Sequence, residues 1–129
     1  MSHYASVETE FLNGSCLSAC LREQFGGVEV HEQPTRLSGW YGTETDSAHF
    51  VVRKELSGLK ADIGFFRGPD EKYRAIYDSM ATHGDGWLHQ LKQNYAERMV
   101  TRQALSSGYR IVGRTKTEDG KVRLIVETD

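Results

Sequence analysis

Residues 61–78 read ADIGFFRGPDEKYRAIYD, and this stretch decides the fold. Its two arms, 61–67 and 72–78, are rich in aromatic and β-branched residues: Ile63, Phe65 and Phe66 in the first, Tyr73, Ile76 and Tyr77 in the second. Such residues suit a pleated, half-buried surface, and Gly68-Pro69-Asp70 between them supplies turn chemistry, so the stretch predicts an antiparallel hairpin. With the turn at residues 68–71, Arg67 is expected beside Lys72 and Phe65 beside Arg74.

Upstream of the hairpin, residues 49–56 read as a strand and Ser57-Gly58 as a turn. Residues 33–48 read as a polar loop holding Trp40-Tyr41-Gly42, and 28–31 as a short strand closed by Pro34. Before that strand, Leu17, Leu21 and Phe25 recur at helical spacing behind the capping oxygens of Asn13-Gly14-Ser15. Gly26-Gly27 stops this helix by taking up a left-handed conformation at little cost. At the start of the chain, Ala5, Val7, Thr9 and Phe11 alternate with Ser6, Glu8 and Glu10, the pattern of a half-buried strand.

Downstream of a glycine-containing loop at 82–86 comes the longest helix, residues 86–107. Its apolar stripe is Leu88, Leu91, Tyr95 and Met99, widened by Ala96, Val100 and Ala104, and Gly108 ends it. Two closing strands, 109–115 and 121–127, flank Glu118-Asp119-Gly120, and Asp-Gly between alternating runs is a strong hairpin signal. The order β-α-β-β-β-β-α-β-β contains no parallel crossover pattern. It predicts a single α+β domain over residues 1–129, with a mostly antiparallel sheet and two helices packed on one face.

The 129 residues are 38% hydrophobic and 26% charged, a balance that suits one folded core rather than a disordered chain. No apolar run approaches the ~20 residues of a membrane helix. Met1-Ser2-His3-Tyr4 has no signal-peptide pattern, so a cytoplasmic setting is expected. Net charge is -2, which argues against a basic nucleic-acid footprint. The charge is uneven: residues 1–48 hold seven acids and two bases, whereas 90–129 hold eight bases and five acids. Cys16 and Cys20, four apart on the first helix, fall short of a four-ligand zinc site and suit a disulfide poorly. They read as reduced core thiols.

Several stretches in order carry a family resemblance. They are Met1-Ser2-His3-Tyr4, Gly39-Trp40-Tyr41-Gly42, Ala61-Asp62-Ile63-Gly64-Phe65, Gln93-Asn94-Tyr95-Ala96, Gly108-Tyr109-Arg110-Ile111-Val112 and Asp119-Gly120-Lys121-Val122-Arg123-Leu124. Together they resemble the hypothetical chloroplast reading frame thirty-five family of cyanobacteria and algal plastids, a domain of unknown function. The sequence departs from that pattern at Glu97, where the family has a second tyrosine, and at Ser79-Met80, where it has tryptophans. The resemblance implies a cytosolic or stromal setting and a genetic association with an ATPase of the AAA type. It transfers no catalytic residues.

Two candidate sites follow from the residues themselves. Trp40 and Tyr41 from the loop, with Asp62, Arg67, Tyr73 and Arg74 from the hairpin, are suited to stacking a flat ring and holding a phosphate. Lys92, Arg98, Arg102, Arg110 and Arg114 give the C-terminal third its positive charge and make a candidate face for an anionic partner. The five histidines fall at no metal-ligand spacing, and no Walker loop, GxGxxG or GxSxG is present, so neither metal nor cofactor is expected.

The expected function is therefore a small non-enzymatic binding or adaptor module. It would dock a protein partner, with an AAA-type ATPase fitting the resemblance, or a small anionic ligand. The alternative is a protein that binds or sequesters a nucleotide-type ligand in the aromatic–arginine pocket. A hydrolase using Asp62 and a histidine is the weakest reading, because no nucleophile–base–orienter set assembles. A homodimer is expected to cover a free sheet edge, with 121–127 as the edge strand.

Overall fold

A computed structural model of the chain describes residues 4–39, 44–116 and 122–128. The fold is α+β, and the chain forms two compact units, residues 1–86 and 87–129.

The first unit is built on a five-stranded, wholly antiparallel sheet. Its strands are β1 (Tyr4–Phe11), β2 (Glu29–Ser38), β3 (Glu44–Val52), β4 (Ile63–Arg67) and β5 (Tyr73–Asp78), in the spatial order β1-β5-β4-β3-β2. Strands β2 to β5 form a meander, and β1 closes the far side beside β5. Helix α1 (Gly14–Phe25) therefore carries the chain from one sheet edge to the other. Four successive antiparallel pairings leave β1 and β2 parallel to each other, so β1-α1-β2 is a crossover unit split by three inserted strands.

Helix α1 starts and stops where its sequence signals lie. The Asn13 side chain accepts the Cys16 N–H at 2.9 Å, and Gly26, in the left-handed region at φ 89°, donates its N–H to the Arg22 carbonyl. Cys16, Leu17, Cys20 and Leu21 form its buried face, and neither cysteine is in a disulfide. The first turn of the helix rests on the stacked rings of Phe50 and Tyr73, whose centroids are 4.7 Å apart. A Cβ at Gly14 would come within 2.7 Å of the Tyr73 hydroxyl, so only glycine admits this approach. Beneath the helix, Phe11 meets Phe65 edge to face at 5.7 Å. On the opposite face Leu37, Ala48, Val51 and Ile76 form a second buried cluster with Phe66 against it. Leu37 fills the space over Gly64, where a Cβ would stand 2.8 Å from its Cδ1.

The structure corrects the sequence reading at four places. First, β2 does not close at Pro34 but runs on to Ser38, and β3 begins at Glu44, so most of the expected loop 33–48 is strand. Val30 pairs with Phe50 and Thr35 with Ala48, leaving residues 31–34 opposite His49 alone. Proline lacks the N–H a ladder needs, and here it sits in a bulge rather than ending the strand. Second, the expected strand 49–56 stops at Val52, and residues Lys54–Ser57 form a short helix, α2, ended by left-handed Gly58.

Third, the register of the decisive hairpin is shifted by one residue: Arg67 faces Tyr73 and Phe66 faces Arg74. The cause is the turn. Glu71 donates its N–H to the Gly68 carbonyl and takes a left-handed φ of 65°, which makes a three-residue loop with a bulge. Fourth, the described residues form three helices where two were expected, and their seven strands divide between two sheets.

In the second unit, helix α3 (Gly86–Ser106) buries Leu88, Leu91, Tyr95 and Ala104, whereas Val100 from the expected stripe is exposed. Gly108, at φ 82°, follows its end. Strands β6 (Tyr109–Lys116) and β7 (Val122–Thr128) pair as an antiparallel ribbon. The turn signal Glu118-Asp119-Gly120 lies outside the described residues.

Candidate functional site

The most organised polar group in the first unit centres on Arg53, just past the end of β3. Strand register selects both of its partners. Glu29 faces Val51, so the side chain two residues further along β3 reaches it diagonally. Val52 faces Ile63, so one step further Arg53 stands opposite Asp62. The guanidinium holds Glu29 through two bonds, Nε to Oε2 at 2.9 Å and Nη2 to Oε1 at 3.0 Å. Its Nη1 donates to Asp62 Oδ2 at 2.9 Å and to the Arg36 carbonyl at 3.2 Å. Glu29 Oε1 also meets His31 Nε2 at 2.9 Å.

Asp62 is fully buried and ties three chain segments together. Its carboxylate accepts the N–H of Ser38 at the end of β2 and the N–H of Lys54 at the start of α2, each at 2.7 Å, besides the Arg53 bond. Its own N–H donates to the Ser38 carbonyl. Asp62 thus caps α2 from a distance, satisfying a helix-start N–H that the Arg53 side chain leaves alone. This explains why the strand expected through residue 56 ends at Val52. The electrostatics agree with the geometry: the Arg53 bonds hold the Glu29 carboxyl below its ordinary range, and Glu29 and then Asp62 raise the Arg53 guanidinium above its own.

Beside this network lies an open hollow of about 360 Å3, lined by Val28, Glu29, Val51, Arg53, Glu55 and Leu56. Leu56 leans over the glycine turn after α1, with its Cδ2 only 3.0 Å from where a Cβ of residue 27 would be. Glu55 is exposed at the rim and makes no ion pair among the described residues.

The residues singled out from sequence fall elsewhere, Asp62 excepted. Trp40 and Tyr41 lie outside the described residues. Arg67, Tyr73 and Arg74 lie at the turn end of the hairpin, whereas Asp62 lies before the first residue of β4, some 16 Å away at the usual strand rise. The one-residue register shift also sets Arg67 and Arg74 on opposite faces of the sheet. Each arginine has a carboxylate of its own, Glu71 at 3.0 Å for Arg67 and Asp70 at 2.7 Å for Arg74. Tyr73 is taken up in the stack on Phe50.

Of the basic set, Lys92, Arg98 and Arg102 are on α3, with Lys92 turned about 120° from Arg98 by helical geometry. Arg110, on β6, pairs with Glu127 across the ribbon, and Arg114 contributes backbone pairing with Leu124. Glu29, Arg53 and Glu55 escaped the sequence reading. Their only local signal was charge at the ends of two strands, and the register that joins them is long-range. Among the described residues no three His, Cys, Asp or Glu side chains converge as metal ligands, and no helix is long and apolar enough to cross a membrane.

Comparison with known proteins shows the family of the chain. Residues 24–125 match the family described as a protein of unknown function (DUF1257), and the chain belongs to that family. It is 25% identical over 131 residues to the uncharacterized protein ycf35 of Cyanophora paradoxa, which covers 98% of this chain and 97% of that protein. The resemblance read from the sequence is thereby shown. No solved structure matches the chain.

Proposed function

We propose that this chain is a small, non-enzymatic binding or adaptor module that docks a protein partner in a cytoplasmic setting. The observation that carries the reading is the division of charge between the two compact units. Residues 1–86 hold eight Lys and Arg against thirteen Asp and Glu, for -5, while 87–129 hold eight against five, for +3. A chain polarised in this way presents complementary fields to a charged protein surface and orients its approach. An AAA-type ATPase is the partner that the family resemblance brings forward. The non-enzymatic reading rests on the Arg53 network, in which the carboxylates and the guanidinium are engaged with each other and with the backbone.

The nucleotide-type alternative has less support. Arg67 and Arg74 are each paired and lie on opposite sheet faces, so a phosphate would have to displace a carboxylate to reach either. The test is native mass spectrometry of the protein purified gently from its own cell extract. The expected species carries an added protein chain in a fixed ratio. A species carrying only a small-molecule mass, lost on denaturation, would overturn the adaptor reading in favour of the ligand binder.

A further inference from the structure

Resting on that reading, we infer that the hollow beside Arg53 is a receptor for a lysine side chain presented by the partner. The walls are apolar where an aliphatic stem would lie, at Val28, Val51 and Leu56. Charge in the lining of the hollow is net negative, with Glu29 and Glu55 set against the single guanidinium of Arg53. Four of the five Arg53 N–H groups are used on Glu29, Asp62 and the Arg36 carbonyl, so the arginine neutralises its neighbours rather than inviting an anion.

Unspent acceptor capacity is what remains. Glu55, exposed and part of the lining, has no hydrogen-bond partner among the described residues, and there Glu29 Oε2 accepts only the Arg53 Nε–H. An ammonium group supplies three donors and no acceptor, which matches that set. A phosphate or carboxylate would meet two like charges and one remaining N–H. At about 360 Å3 the hollow lies at the small end of ligand sites, sized for one side chain rather than a dinucleotide. Arg53 is held in place by Glu29 on β2 and by Asp62 just before β4, so little ordering is needed on binding.

The test is a titration of the isotope-labelled full chain, followed by amide NMR, with three capped tripeptides: Gly-Lys-Gly, Gly-norleucine-Gly and Gly-Glu-Gly. The expected result is saturable shifts at Val28, Glu29, Glu55 and Leu56 with the lysine peptide, at least threefold weaker with norleucine and absent with glutamate. Glu55→Gln should weaken the lysine response at least threefold while leaving the remaining spectrum unchanged, since Glu55 is exposed and unpaired among the described residues. Equal binding of norleucine and lysine peptides, a stronger response to glutamate, or no response at these amides would overturn the assignment. A protein partner in the mass spectrum together with a silent hollow would remove this inference and leave the adaptor reading standing.

Discussion

Asp62 shows how much one buried carboxylate can organise. With no exposure to solvent it gathers two backbone N–H groups and one guanidinium N–H, and charge-assisted bonds of this kind are the strong ones. Asp62→Ala would strand the N–H groups of Ser38 and Lys54 and take from Arg53 the acceptor of one of its four bonds. The expected loss is about 3 kcal/mol or more of unfolding free energy, read by urea denaturation. A loss under about 1 kcal/mol would show that the clip is not what holds these segments. At Glu71 the opposite change is expected. Its left-handed backbone suits glycine, and its bond to Arg67 is a surface pair of small worth. Glu71→Gly should therefore raise stability by about 0.5–1 kcal/mol in the same assay. Asp62 was legible in the sequence as a residue of interest, but its role was not. Its partners lie 8, 9 and 24 residues away and are chosen by register, which no local pattern displays.

At the scale of elements, patterns confined to one segment read correctly and patterns shared between segments did not. The cap at Asn13, the stop at Gly26 and the closing pair of strands were legible because each depends on residues adjacent in the chain. The end of β3 was not legible, because Asp62 imposes it from the next strand. Neither was the hairpin register, which hangs on one left-handed residue that is not a glycine. The edge between β3 and β4 carries a titratable pin: the Arg67 N–H donates to His49 Nδ1 at 3.0 Å, a bond that a protonated ring cannot accept. Burial, and then the Arg67 charge, hold the His49 ring below its ordinary value of 6.5. As pH falls through about 6.5 the unfolded chain takes up this proton before the folded one does. The contribution is therefore present above that pH and is lost on acidification. Melting temperature should fall between about pH 7.5 and pH 5.5, with a shallower slope in His49→Asn, whose Oδ1 stands where Nδ1 accepts the bond and does not titrate. Identical slopes would exclude His49 as the cause. Glu29 and Asp70, also held low by arginines, act only below the carboxylate range and do not confuse that window.

For the whole molecule, the sequence displayed the charge gradient but not that its sign changes between two compact units. If that polarity steers a partner, association should weaken steeply with salt. Raising ionic strength from about 0.1 M to about 1 M shortens the screening length from about 10 Å to about 3 Å. The complex recovered under mild conditions should dissociate over that range, with the loss lying mainly in the association rate, measured by stopped flow or surface binding. A salt-insensitive complex would point to an apolar interface instead.

The place of β1 at the edge beside β5 has a consequence for how the chain is made. Within its sheet, the strand made earliest pairs with the strand made last, and Tyr4 must wait for Asp78. At roughly 5–20 residues per second, β1 spends several seconds without a partner while the meander forms behind it. During that interval the nascent chain exposes an unsatisfied strand edge, the kind of surface that other nascent chains can pair with. The split crossover thus makes co-translational crowding, rather than the finished structure, the period of greatest risk for this protein.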